Sequence, residues 1–144
     1  MVSLVGDGSS PAPIDHPILE FRQTRLQATN QVEQATITDT SGYLELHVVF
    51  ASPCYPATVN EATLTGRWYT NDDFKIHYRE MHPESTWECQ WDRHPNPYNT
   101  RDYFHPPPTA PTPGDNVSWP ADHRDGLTFV LDGVEERIAA LWDE

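Results

Sequence analysis

Eight of the twenty-six residues from Pro95 to Pro120 are proline. Proline has no backbone N–H and a fixed φ, so neither a helix nor a central strand is expected to continue through this stretch. The spacing therefore predicts a long loop over 95–120, and loops of that length inside a small domain are usually functional or disordered. The segments on either side of it must build the fold separately.

Ahead of the prolines the chain reads as antiparallel strands. "YLELHVVFA" puts Leu44, Leu46, Val48 and Phe50 on one face and Tyr43, Glu45, His47 and Val49 on the other. With "VEQATITDT" before it and Gly42 between, residues 32 to 51 form an expected hairpin. "ATLTGRWYT" and "DFKIHYREM" make a second hairpin around Asn71, Asp72 and Asp73, with Phe74, Ile76 and Tyr78 alternating against Lys75, His77 and Arg79. In "TWECQWD", Trp87, Cys89 and Trp91 face away from Glu88, Gln90 and Asp92. "ILEFRQTRLQ" is open to two readings, a strand or a helix, because Leu19, Arg22 and Leu26 also fall at helical spacing.

After the prolines, Leu127, Val130, Leu131, Val134, Ile138, Leu141 and Trp142 lie within one helical stripe. Gly126 and Gly133 each cost such a helix about 1 kcal/mol relative to alanine, so its stability must come from docking. The expected architecture is α+β: a bent antiparallel sheet of about five or six strands with a C-terminal amphipathic helix (121–142) packed on one face. Residues 1–15 read as a flexible N-terminal segment and 16–144 as a single domain, the size at which a core can form without metals or disulfides. Cys54 and Cys89 accordingly read as free thiols.

Charge narrows the function. The formal net charge is −13, from 22 acidic and 9 basic residues, and Lys75 is the one lysine. That balance argues against a general binder of nucleic acid or anionic membrane, which would need many cations to neutralise phosphates, but leaves room for a local basic site. An acid-rich, lysine-poor surface fits a salt-loaded, halophilic cytoplasm. "MVSLVGDGSSPAP" has neither a basic start nor an apolar stretch suited to export, so the expectation is a soluble cytoplasmic chain without membrane association.

The local basic site is sought in "CQWDRHPNPYNTRDYFHPPPTAP", from Cys89 to Pro111. His94 and His105 are the side chains whose protons exchange near neutrality, and Arg101 is a permanent planar donor for phosphate. These three are the catalytic candidates for metal-independent phosphodiester cleavage, with one imidazole as base, the other as acid and the guanidinium on the developing charge. Arg93, Tyr98 and Tyr103 are candidates for binding substrate, by charge and by stacking on bases. Asp92 and Asp102 are candidates to orient the imidazoles. No cofactor is expected. Two competing readings stand beside this one: the loop uses these groups only to satisfy its own backbone, or Asp92, His94, Asp102 and His105 hold a divalent metal, although their spacing matches no closed zinc pattern. His47 and His77, being in strands, read as ordinary half-exposed histidines.

The order of elements resembles the TumE-like small toxins of toxin–antitoxin operons: antiparallel strands, a strand ending in an aromatic and an aspartate (Trp91, Asp92), a loop bearing His94, Arg101 and His105, then one C-terminal helix. In that resemblance the later histidine is followed by three prolines instead of a basic residue and another histidine. It implies a toxin neutralised by a helix-turn-helix antitoxin, with RNA as the substrate if the histidines are catalytic. The alternative function is a non-catalytic protein-interaction module, suggested by Trp119 and by "PPPTAPTP" at 106 to 113, whose extended form suits aromatic grooves.

Overall fold

The computed structural model describes residues 12–40, 42–94, 102–117 and 123–144, with side chains omitted at Thr40 and at 123–126. Its elements run α1 (His16–Gln27), β1 (Val32–Thr40), β2 (Tyr43–Phe50), β3 (Glu61–Trp68), β4 (Phe74–Met81), β5 (Thr86–Arg93), β6 (Asp102–His105), β7 (Asp115–Asn116) and α2 (His123–Trp142), with a short 3₁₀ turn at Ser52–Cys54. The fold is α+β. All seven strands form one open antiparallel sheet in sequence order.

The ambiguous segment at 18–27 is a helix. Asp15 caps it, its side chain accepting from the Ile18 N–H at 3.2 Å, and Pro17 lies in the first turn, where its missing N–H has no cost. Leu19, Arg22 and Leu26 are the buried residues, the set at helical spacing. Gln23 and Gln27 then hold α1 to the outer edge of the sheet: Gln23 Nε2 donates to the Ala35 carbonyl at 3.1 Å, and the Ala35 N–H donates to Gln27 Oε1 at 2.9 Å. Just before the helix, the Asp15 N–H donates to the Trp68 carbonyl at 2.7 Å, and Ile14 bridges to Tyr69.

The two expected hairpins form. In the first, Gly42 takes φ 86°, a left-handed conformation that glycine adopts without penalty. In the second, Asp72 at φ 71° turns the chain between Trp68 and Phe74, which are paired across β3 and β4. The sheet has seven strands instead of five or six because the proline-rich stretch contributes two. Prolines are excluded from β6 itself but flank it, so the four residues Asp102–His105 pair with β5, and Asp115–Asn116 pair with β6. The prolines also serve β5 directly, since a proline carbonyl remains an acceptor: the Glu88 N–H donates to Pro108 O at 2.9 Å.

Alternation gives the sheet one dry face. Leu46, Val48, Leu64, Trp68, Phe74, Ile76, Tyr78 and Cys89 are buried there together with Leu19 and Leu26 of α1 and Leu127, Val130, Val134 and Leu141 of α2. Each such side chain stabilises the fold by about 1.5–3 kcal/mol relative to exposure. Both cysteines are free thiols, and burial pushes the Cys89 thiol up to about 12, which leaves it inert.

A carboxylate also sits in this apolar layer. Glu80 is fully buried, and α2 answers it: Arg137 Nε and Nη2 donate to Glu80 Oε2 and Oε1, both at 2.9 Å, while the guanidinium lies 3.8 Å from the centre of the Trp87 ring. Tyr78 OH also donates to Glu80 at 2.8 Å and in turn accepts from Tyr55 OH at 2.7 Å. His82 Nε2 also lies 2.9 Å from Glu80 Oε1, so Arg137→Ala removes the bidentate partner but leaves an imidazole beside the carboxylate, and it is expected to lower stability by about 1.5–3 kcal/mol in urea unfolding. A loss below about 1 kcal/mol would show that this pair does not fasten α2.

Candidate functional site

Among the described residues, the opposite face of the sheet carries no helix and is polar. Tyr43, Glu45 and His47 on β2, Thr63, Thr65 and Arg67 on β3, Lys75, His77 and Arg79 on β4, and Glu88, Gln90 and Asp92 on β5 all point to it, because each alternates with a neighbour on the dry face. Register brings them into rows: Thr65 opposes His77 and His77 opposes Gln90, while Arg67 opposes Lys75 and Lys75 opposes Asp92. His105 pairs with Gln90 and Tyr103 with Asp92, so both face the same way. Between β2 and β5 the face forms an open groove of about 430 Å³ lined by Glu45, His47, Thr63, Thr65, Lys75, His77, Arg79 and Gln90.

At the β5–β6 end His105 is pinned from both sides. Its Nε2 lies 2.8 Å from Asp92 Oδ2 and its Nδ1 lies 2.8 Å from the Pro111 carbonyl. Both partners are acceptors, so both bonds are made together only by the doubly protonated ring. The hydrogen bond to Asp92 raises the pKa of His105, opposed by burial and assisted by the Pro111 carbonyl; Lys75, close by, pulls the other way. Gly114 allows the proline segment to lie this close, since a Cβ there would come within 3.0 Å of the imidazole and of the Phe104 carbonyl.

Gln90 extends the network. Its Nε2 donates to both oxygens of Asp92 at 3.0 Å, which turns its Oε1 to His77 Nδ1 at 2.8 Å. His77 Nε2 lies 2.7 Å from Glu88 Oε1, and Arg79 approaches the same oxygen at 3.6 Å. His94 is buried on this face as well, stacked on Tyr103 with ring centroids 4.8 Å apart and planes 19° from parallel. Burial, then the charges of Asp102 and Asp92, raise the Tyr103 pKa, so its phenol stays protonated near neutrality.

The sequence candidates thus separate. Asp92, His94, Tyr103 and His105 share one face at adjoining positions. Arg93 and Asp102 do not join them: they pair across β5 and β6 on the side of Phe74, with Arg93 Nε donating to Asp102 Oδ1 at 2.9 Å and the guanidinium 5.2 Å from the Phe74 ring centre. Strand parity decides this, since 93 adjoins 92, 102 adjoins 103, and neighbours along a strand point to opposite faces. Arg101, Tyr98 and Trp119 lie outside the described residues. Among the described residues no group of three or more His, Cys, Asp or Glu is placed to hold a metal ion. Sequence reading passes over His47 and His77, whose shared face with Lys75 and Arg79 is visible in the alternation, but whose junction with Gln90, Asp92 and His105 depends on register.

The family model of the toxin TumE matches residues 14–138, from the residue before the α1 cap to the last turns of α2. The chain belongs to the TumE toxin family. Membership makes it a toxin of a toxin–antitoxin system and implies an antitoxin partner. No curated protein and no solved structure matches the chain. Within this TumE family chain, no helix among the described residues is long and apolar enough to cross a membrane.

The His105 bonds set a pH test. A folded value raised above the ordinary 6.5 means that protonation favours the fold, so the contribution is complete below about pH 6.5 and is lost as pH rises through the folded value. In an NMR titration the His105 ring is expected to titrate above 6.5, and Asp92→Asn is expected to bring its midpoint down. An unmoved midpoint in Asp92→Asn would remove Asp92 as the cause.

Proposed function

We propose that this toxin acts on RNA as a ribonuclease that uses histidine acid–base chemistry without a metal ion, at the β5–β6 end of the uncovered sheet face. The observation that carries this reading is His105, fixed between Asp92 and the Pro111 carbonyl on the same face as His94. His94 takes the ribose 2′-hydroxyl proton as the 2′-oxygen bonds to phosphorus. The bond from phosphorus to the 5′-oxygen breaks, and that oxygen takes the proton of His105 Nδ1, which exchanges its bond to the Pro111 carbonyl for one to the leaving oxygen while Nε2 stays on Asp92. The products are a 2′,3′-cyclic phosphate and a 5′-hydroxyl. Asp92 keeps His105 oriented and charged, Tyr103 supports the His94 ring, and Arg101 is assigned to the charge that develops on phosphorus.

The partner we assign is a helix-turn-helix antitoxin, and the place of action is the cytoplasm, where RNA is the accessible substrate. Arg93 and Asp102 are assigned to fastening β5 to β6, because they face the core side.

A second reading, docking of a partner protein without catalysis, is favoured by an apolar cleft of about 240 Å³ between α2 and the proline segment, lined by Trp87, Trp91, Phe104, Pro107, Gly133 and Val134 among others. It places the partner on the helix side of the sheet, away from the histidines.

Expression in a compatible host, with and without the neighbouring gene, separates the readings. Growth arrest with fragmented RNA is expected on expression alone, with rescue by co-expression. The folded His94→Ala/His105→Ala variant is expected to lose at least about 100-fold in cleavage, the scale of one acid–base group. Intact RNA during arrest, or undiminished cleavage by the double variant, would overturn the ribonuclease reading.

A further inference from the structure

We propose that the groove across β2 to β5 binds the phosphodiester backbone of single-stranded RNA, with Lys75 and Arg79 receiving phosphates on either side of His77 and leading the strand toward His105. This inference rests on the RNA reading of the same sheet face and adds to it a binding surface outside the histidine cluster.

The first argument is spacing. Lys75, His77 and Arg79 alternate along β4 with the buried Ile76 and Tyr78, so they stand on one face at intervals of about 7 Å. Lys75 and Arg79, the two cations of this row, are therefore about 14 Å apart, of the order of two phosphate steps in an extended strand. Lys75 ends the row beside the histidine cluster: it is directly opposite Asp92, and its charge is felt at His105.

The second argument is charge. Among the described residues, Arg22 is buried, Arg25 lies over the Phe21 ring on α1, Arg93 is tied to Asp102 and Arg137 to Glu80. Arg67, Lys75 and Arg79 are gathered on the uncovered face of a chain whose net charge is −13. Arg67 and Lys75 are directly opposed on β3 and β4. The carboxylates of the face are engaged: Glu45 accepts from Arg67 at 2.9 Å, Glu88 faces His77 at 2.7 Å, and Asp92 is held by Gln90 and His105. The contact of Arg79 with Glu88, at 3.6 Å, is longer than a hydrogen bond and yields readily to phosphate.

The third argument is shape. An open sheet face with Thr63 and Thr65 hydroxyls along it and tyrosine rings at either end, Tyr43 beneath Arg67 and Tyr103 against His94, suits an extended strand whose bases stack on aromatic rings. It does not suit an A-form duplex, whose bases are shielded in a deep groove.

The probe is a short single-stranded oligonucleotide with 2′-deoxy sugars, which lacks the attacking hydroxyl and survives intact. Its affinity for the full chain and for Lys75→Gln/Arg79→Gln is measured by fluorescence anisotropy across a potassium chloride series, with cleavage of the ribo-oligonucleotide assayed separately. The double variant, checked for folding by circular dichroism, is expected to bind at least tenfold more weakly at low salt. Its plot of log affinity against log salt should be shallower by about 1.4, two single-strand contacts at about 0.7 each. Binding by the original chain that the double variant retains in full overturns the groove and leaves the ribonuclease reading standing. Groove-dependent binding without cleavage of the ribo-oligonucleotide supports the groove and overturns the ribonuclease reading instead. Absence of oligonucleotide binding, or preference for a poly-glutamate peptide at the same salt, overturns the RNA assignment of the groove.

Discussion

Strand alternation in β4 and β5 divides this molecule into two surfaces, and the rest of the structure depends on that division. Ile76, Tyr78, Cys89 and Trp91 must be dry, so α1 and α2 both pack on their side, and Lys75, His77, Gln90 and Asp92 are left on the other. A register slip of one residue would exchange the two sets and bury four polar groups. Glu80 and Arg137 make the arrangement specific, because the buried carboxylate is satisfied by a guanidinium that α2 presents at one point of its length. Apolar packing alone would let a glycine-bearing helix slide; a bidentate pair in a low-dielectric layer resists it.

On the polar side, hydrogen-bond direction propagates from one residue to the next. The carboxylate of Asp92 accepts only, so Gln90 must turn its amide nitrogen inward and its oxygen to His77. The same carboxylate, with the Pro111 carbonyl, requires protons on both nitrogens of His105. The proline-rich segment is therefore a working part of this end of the sheet. Its carbonyls accept from Glu88 and His105, and its prolines bring no N–H groups that would need partners where it crosses them. Toxin-family membership gives these contacts a setting, an antitoxin meeting a protein that is itself strongly acidic.

Much of this is legible in the sequence, and the remainder is hidden for physical reasons. Both early hairpins and the C-terminal helix announce themselves through alternation and a helical stripe, and Leu127, Val130, Val134 and Leu141 are indeed buried residues of α2. Helix α1 is ambiguous because Leu19, Arg22 and Leu26 suit either period; the Asp15 cap and Pro17 settle it, and both are readable. Strands β6 and β7 are masked by their flanking prolines, which forbid a central strand through the whole stretch but not a four-residue one between them. Adjacency in sequence groups Arg93 with His94, whereas in a strand adjacent residues face opposite ways. Conversely His77 and Lys75, distant in sequence from His105, reach it through cross-strand register, which no local pattern specifies.

The most direct test of a chemically active polar sheet face is a map of where a non-cleavable single-stranded oligonucleotide touches the protein, read from amide and imidazole NMR shifts during titration. Shifts concentrated on Thr63, Thr65, Lys75, His77, Arg79, Gln90 and His105, with α1 and α2 unmoved, are the predicted result. Shifts concentrated on the helices or on the cleft beside Trp87 and Phe104, with those residues unmoved, would contradict it.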